Sequence, residues 1–95
     1  MKEKVTRSSG NVFIDMGFPA EEAAVLAMRA DLMAKLRLQI ERSGWTQMDA
    51  SKQLGTAQSR VSDLMRGKWE KFSLDMLVTI AARAGRRPKI TLAAA

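Results

Sequence analysis

Residues 46–66 read TQMDASKQLGTAQSRVSDLMR, and two short helices joined by a tight turn account for this stretch. Thr46 is a helix cap by type, and Asp49, three residues on, can reach back to the Thr46 N–H, so a helix is expected over Gln47–Leu54. Gly55 ends it, because the chain there needs a residue that tolerates positive φ. Thr56 and Ala57 turn the chain. Helical character then resumes from Gln58 to Arg66, with Val61, Leu64 and Met65 on one face and Gly67 as the stop. Taking Val61 as the inward direction, Ser59, Ser62, Asp63 and Arg66 point outward, Arg60 lies at the edge and Gln58 sits at the N-terminal tip.

Two short helices with glycine in a three-residue turn form the helix-turn-helix arrangement, in which the helices cross at about 90 to 120°. Close crossing needs small side chains in the first helix, and Ala50 and Ser51 meet that need. Helical hairpins of this kind also occur in bundles that touch no DNA. The outer face of the second helix is polar, its inner face apolar.

Upstream, helix formers dominate from Ala20 to Arg42, with Pro19 and the acids Glu21 and Glu22 suited to a first turn. Val25, Met28, Leu32, Met33, Leu36 and Ile40 fall within an arc of about 140° at ~100° per residue, one amphipathic face. Arg29 and Gln39 intrude on that stripe, which points to two helices meeting near Ala30. Ser43-Gly44 closes the segment. Residues 1–19 are read as a flexible arm carrying Lys2, Lys4 and Arg7, followed by an extended apolar stretch from Val12 to Phe18.

Downstream, Ser73 can cap a helix that carries Leu74, Leu77, Val78, Ile80 and Ala81 inward until Gly85. Pro88-Lys89-Ile90-Thr91-Leu92 alternates like a short edge strand. Trp45 and Phe72 are expected in the core, and Trp69 is left unplaced. The fold class is therefore all-α, with four or five helices over residues 20–95 and a short C-terminal strand.

Composition narrows the function. Ninety-five residues make one domain, and 46% hydrophobic with 27% charged residues is ordinary for a globular chain. No run is long and apolar enough for a bilayer span and no signal core precedes the domain, so a cytoplasmic protein without membrane contact is expected. Cys, His and Tyr are all absent, which removes thiolate nucleophiles, the usual neutral-pH base and the commonest metal ligands. No enzyme, metal or cofactor is expected. Sixteen Lys and Arg against ten Asp and Glu leave +6, with a pI near 10.3, a balance that favours a polyanionic partner.

Duplex DNA fits that charge and that helix pair. The major groove admits one helix, and its floor offers donor and acceptor patterns that amide and hydroxyl side chains match, so Gln58, Ser59 and Ser62 are the candidate base readers. Gln47 at a helix N-terminus, with Arg60, Arg66 and Lys68, is placed to hold backbone phosphates. Asp63 would repel phosphate, and an intrahelical pair with Arg60 or Arg66 is the expected remedy. Nonspecific RNA binding lacks the exposed aromatic platform it commonly uses.

The run GWTQMDASKQLGTAQSRVSDLMRGKWEKFSLDMLVTIAARAGRRPKI, residues 44–90, resembles the DNA-binding domain of the phage-repressor-like regulators of the XRE/Cro-CI type. The resemblance lies in TQ, then LG at the turn, then Q, VS, L and RGK, then SL and a closing AG. The preceding SSGNVFIDMGFPAEEA, residues 8–23, resembles the N-terminal segment of a subset of that family, the HigA-like antitoxins of bacterial toxin–antitoxin pairs. The resemblance implies a five-helix repressor-like domain that forms a homodimer, binds the operator of its own promoter and neutralises a RelE-like ribonuclease toxin. By position it makes Gln47 a phosphate contact, Gln58, Ser59 and Ser62 base readers, and Arg60 and Lys68 backbone grips. Two positions depart from the family's habit: Ala50-Ser51 replaces Leu-Ala, with Met48 or Trp45 available to fill the volume, and Ala57 stands where a capping Ser, Thr or Asp is usual.

Two further surfaces follow as expectations. Apolar Val12, Phe13, Ile14, Phe18 and Leu38, with acids at Asp15, Glu21 and Glu22, suit a cationic protein such as a ribonuclease toxin; the same stretch can equally pack on its own domain. Lys89–Leu92 can pair with its counterpart in a dimer or with Val12–Ile14. A stand-alone regulator with no toxin partner is the alternative function.

Overall fold

The computed structural model of the chain describes residues 11–92. The arm with Lys2, Lys4 and Arg7 lies outside them. Five α-helices follow in order: α1 Val12–Asp15, α2 Ala20–Ser43, α3 Gln47–Leu54, α4 Gln58–Met65 and α5 Leu74–Arg83, with a single 3-10 turn at Trp69–Lys71 between the last two. The expected helical domain is borne out. The C-terminal strand is not: among the described residues none is a strand, and Pro88–Leu92 runs on irregularly with no backbone hydrogen bond among them. A short edge segment has nothing to pair with where the described residues form no sheet.

The stretch from Val12 is helical rather than extended. The Asn11 side chain accepts from the Phe13 N–H at 2.9 Å and nucleates the turn, while its amide donates to the Ala23 carbonyl and ties the turn to α2. With α1 helical, its backbone offers no edge for Lys89–Leu92 to pair with. Phe13 turns inward and packs with Ala23 and Leu26, and Phe18 covers them.

α2 is one helix of 24 residues, about 36 Å at 1.5 Å per residue, and sets the long 45 Å dimension of the chain. It does not break near Ala30. The two polar intruders have partners off the helix: Arg29 Nη1 donates to the Trp69 carbonyl at 3.4 Å and Gln39 Nε2 to the Ala84 carbonyl at 3.2 Å. The Ala84 carbonyl, at the C-cap of α5, has no intrahelical partner, whereas the Trp69 carbonyl also accepts from the Phe72 N–H and is shared between the two donors.

The apolar stripe differs from the expected one as well. Ala23, Leu26, Ala27 and Ala30 face the α1 cluster, whereas Met33, Leu36 and Ile40 face the main core. At ~100° per residue these two faces are rotated by roughly 90° from each other, so α2 serves two partners with two different sides. Val25 and Met28, placed inward by the single-stripe pattern, are exposed at 42% and 36%.

The main core gathers Met33, Leu36 and Ile40 of α2, Ala50 and Leu54 of α3, Val61 and Leu64 of α4, Phe72, and Leu77, Ile80 and Ala81 of α5. Of the two residues available to fill volume beside Ala50, half-buried Trp45 packs against the core, whereas Met48 is 55% exposed. Of the residues expected inward on α5, Leu74 is half-buried and Val78 lies at the surface. Trp69 joins the two clusters, meeting Phe13 edge-on at 5.3 Å and Phe18 at 6.4 Å between ring centroids.

Ala57, the N-cap of α4, has extended dihedrals (φ −65°, ψ 149°) suited to a cap but provides no capping side chain. Ala57→Asp or Ala57→Ser should therefore stabilise the fold by about 1 kcal/mol, read as a rise of roughly 4 to 8 °C in Tm. An unchanged Tm for both would show that the α4 N-terminus is already satisfied.

Candidate nucleic-acid interface

The α3–α4 unit is locked at three points. At its start Thr46 Oγ1 accepts from the Asp49 N–H and Asp49 Oδ2 accepts from the Thr46 N–H, both at 3.1 Å, a reciprocal capping box. At the turn Gly55 adopts φ +62°, and the Gly55 and Thr56 N–H groups both donate to the Ser51 carbonyl. Ser51 Oγ donates to the Thr56 carbonyl, so the small residue that permits close crossing also tethers the turn.

The third lock comes from α5. Arg83 Nη1 donates to the Gly55 carbonyl at 3.0 Å and to the Leu54 carbonyl at 3.4 Å. A Cβ built on Gly55 would lie 3.4 Å from the Arg83 side chain, an ordinary contact, so glycine is favoured there for its left-handed dihedrals. Sequence reasoning missed Arg83, since a basic residue in the last turn of a helix is ordinary and nothing local marks its target.

Beyond the turn, α4 buries Val61 and Leu64 completely and turns the other side outward. Gln58 and Ser59 are exposed at its first turn, Ser62 and Asp63 are half-buried, and Arg66 is exposed at its end. Gln47 is exposed at the first position of α3, and Lys68 is half-buried just before the 3-10 turn. The structure thus brings the expected base-reading set onto one accessible helix face, with Gln47 on the neighbouring helix and Arg66 and Lys68 beyond its C-terminal end.

Arg60 is engaged within the protein. Its Nη1 donates to the Lys71 carbonyl at 3.1 Å and its guanidinium lies 5.6 Å from the Phe72 ring centre, so it fastens α4 to the connection that follows. The anticipated Asp63 pair with Arg60 or Arg66 is absent; among the described residues the one ion pair is Lys35–Asp31. Of the apolar residues assigned to a protein partner, Val12, Ile14 and Leu38 are exposed at 60%, 41% and 43%, while Phe13 is buried at 5% and Phe18 half-buried.

Two crossed short helices with an exposed polar second helix, carried on a helical core, define a helix-turn-helix domain. Residues 12–93 match the family described as a helix-turn-helix domain, and the chain belongs to that family. This membership supports a DNA-binding regulator and a role in binding rather than catalysis. No curated protein matches the chain. No helix among the described residues is long and apolar enough to cross a membrane.

If the turn is locked as described, Gly55→Ala should cost roughly 1 to 2 kcal/mol through its left-handed backbone, and Arg83→Met about 1 kcal/mol through the freed carbonyls. Urea unfolding measures both; an Arg83→Met midpoint equal to wild type would remove Arg83 from the lock.

Proposed function

We propose that the chain is a sequence-specific transcriptional regulator that places α4 in the major groove of its operator. The carrying observation is the division of α4 into a fully buried apolar side and an accessible side bearing Gln58, Ser59 and Ser62. Gln58, at the tip, is the candidate for a bidentate contact to adenine, and the serine hydroxyls can donate or accept at neighbouring base edges. Gln47, Arg66 and Lys68 hold phosphates and set the register. Arg60 assists from the edge while bracing the helix.

A single reading helix gives a short site, so the active form is a two-fold homodimer with half-sites ~34 Å apart. Ile90 and Leu92, exposed at 63% and 100%, and the surface around Met28 and Val78 are the apolar material available for that contact. The operator is that of the protein's own promoter, by resemblance to HigA-like antitoxins.

The same resemblance extends the proposal to neutralisation of a RelE-like ribonuclease toxin. Favouring it, α1 and the turn after it expose Val12, Ile14, Asp15 and Met16, and the first turn of α2 exposes Glu21 and Glu22, apolar and acidic material suited to a cationic enzyme. Buried Phe13 supports that surface from beneath, and exposed Leu38 lies further along α2, about 12 Å past Ala30 at 1.5 Å per residue. Without such a partner the chain acts as a stand-alone repressor-like regulator.

Footprinting on the promoter region tests the DNA function, with protection of a two-fold repeat as the expected result. Gln58→Ala should change base preference at one position by about 1 to 3 kcal/mol, whereas Lys68→Ala should weaken every sequence alike. Equal loss on all sequences for Gln58→Ala would contradict its reading role. For the toxin, co-purification with the product of the adjacent reading frame should be lost in the Val12→Glu, Ile14→Lys double variant; a complex that persists would clear α1 of that role.

A further inference from the structure

The far end of α4 carries a cation that sequence spacing does not bring there. Arg37 stands in the middle of α2, yet its guanidinium lies against the turn that ends α4: a Cβ built on Gly67 would fall 2.8 Å from Arg37 Nη1 and 4.0 Å from Cζ. Gly67, at φ +71°, is bounded in the chain by Arg66 and Lys68. The Arg37 guanidinium thus reaches a turn whose glycine is flanked in the chain by two further cationic residues.

None of the three is neutralised. The ion pair among the described residues is Lys35–Asp31, and neither Arg37, Arg66 nor Lys68 donates a side-chain hydrogen bond there. The ordinary reason for cations at this place is the negative end of the helix dipole, with the side chain bonding the last carbonyls. Arg37 does not fit it, since it belongs to another helix and bonds no α4 carbonyl. Like charges brought together repel, and a half-buried guanidinium has given up part of its hydration while keeping its fork of N–H donors unspent. That fork matches two oxygens of a phosphate.

We propose that Arg37, with Arg66 and Lys68, grips a backbone phosphate of duplex DNA at the edge of the groove that α4 enters. The inference rests on the DNA-binding function proposed above and adds a contact from α2, outside the helix pair. A side chain at Gly67 would displace the tip of Arg37 from the phosphate site.

The test compares the full-length wild type with Arg37→Gln on an operator-bearing duplex and an unrelated duplex, across a salt series. Loss of one phosphate contact should make the slope of log K against log salt shallower by about 0.9 and weaken both duplexes several-fold to the same extent. Arg37→Lys should keep the wild-type slope. Arg37→Met retains the packed stem and repeats the measurement if the amide disturbs α2, with thermal unfolding of each variant confirming the fold. Wild-type slopes for both uncharged variants, or a loss confined to the operator duplex, would overturn this contact and leave the DNA-binding function standing. A wild-type protein that binds neither duplex at low salt would remove both.

Discussion

The angle between α3 and α4 is set by a turn of three residues, and the accessible face of α4 depends on that angle. Gly55 supplies the left-handed backbone, Ser51 ties the far side of the turn from below, and Arg83 reaches from α5 to hold the carbonyls of Leu54 and Gly55. Hydrophobic burial of Val61 and Leu64 decides which side of α4 is inward, but it is non-directional and leaves the helix free to rock. The directional bonds at the turn remove that freedom. A reading helix needs its side chains held to within a fraction of an ångström of base edges, and rigid support of this kind is what sequence readout requires.

α2 connects that unit to the N-terminal segment. One side of it completes the main core and, about a quarter-turn away, another side receives α1, with Trp69 bridging the two clusters. Arg29 holds the Trp69 carbonyl from the middle of α2, although its buried Nε has no partner, a desolvation penalty of about 1 to 3 kcal/mol that the fold tolerates. The α1 surface proposed for a protein partner and the α4 surface proposed for DNA therefore share one rigid helix.

The elements with local chemical signatures were legible in the sequence. Thr46 and Asp49 announced the capping box, Gly44, Gly55 and Gly67 the helix stops, and Ser73 the cap of α5, and each stands where spacing put it. Features that depend on a distant partner were not. Phe13, in a short apolar run, looks the same whether extended or helical until Asn11 and Ala23 fix it. The apolar stripe on α2 follows its larger residues, among them exposed Val25 and Met28, whereas the side that receives α1 is built mostly from Ala23, Ala27 and Ala30, which a hydrophobic pattern marks weakly. Arg29 and Gln39 read as interruptions of a stripe, Arg60 as a phosphate contact and Arg83 as an ordinary basic residue of a last turn, yet each holds a carbonyl elsewhere in the fold. Their long side chains act at a range that sequence spacing does not encode.

Titrating an operator duplex into the isotopically labelled protein and following backbone amide shifts puts the groove-facing role of α4 to the most direct test. Groove entry by α4 requires the largest changes at Gln58, Ser59 and Ser62, with smaller ones at Gln47 and around Gly67. Shifts confined to α1 or to the Pro88–Leu92 segment, with the α4 amides unmoved at saturation, would contradict it.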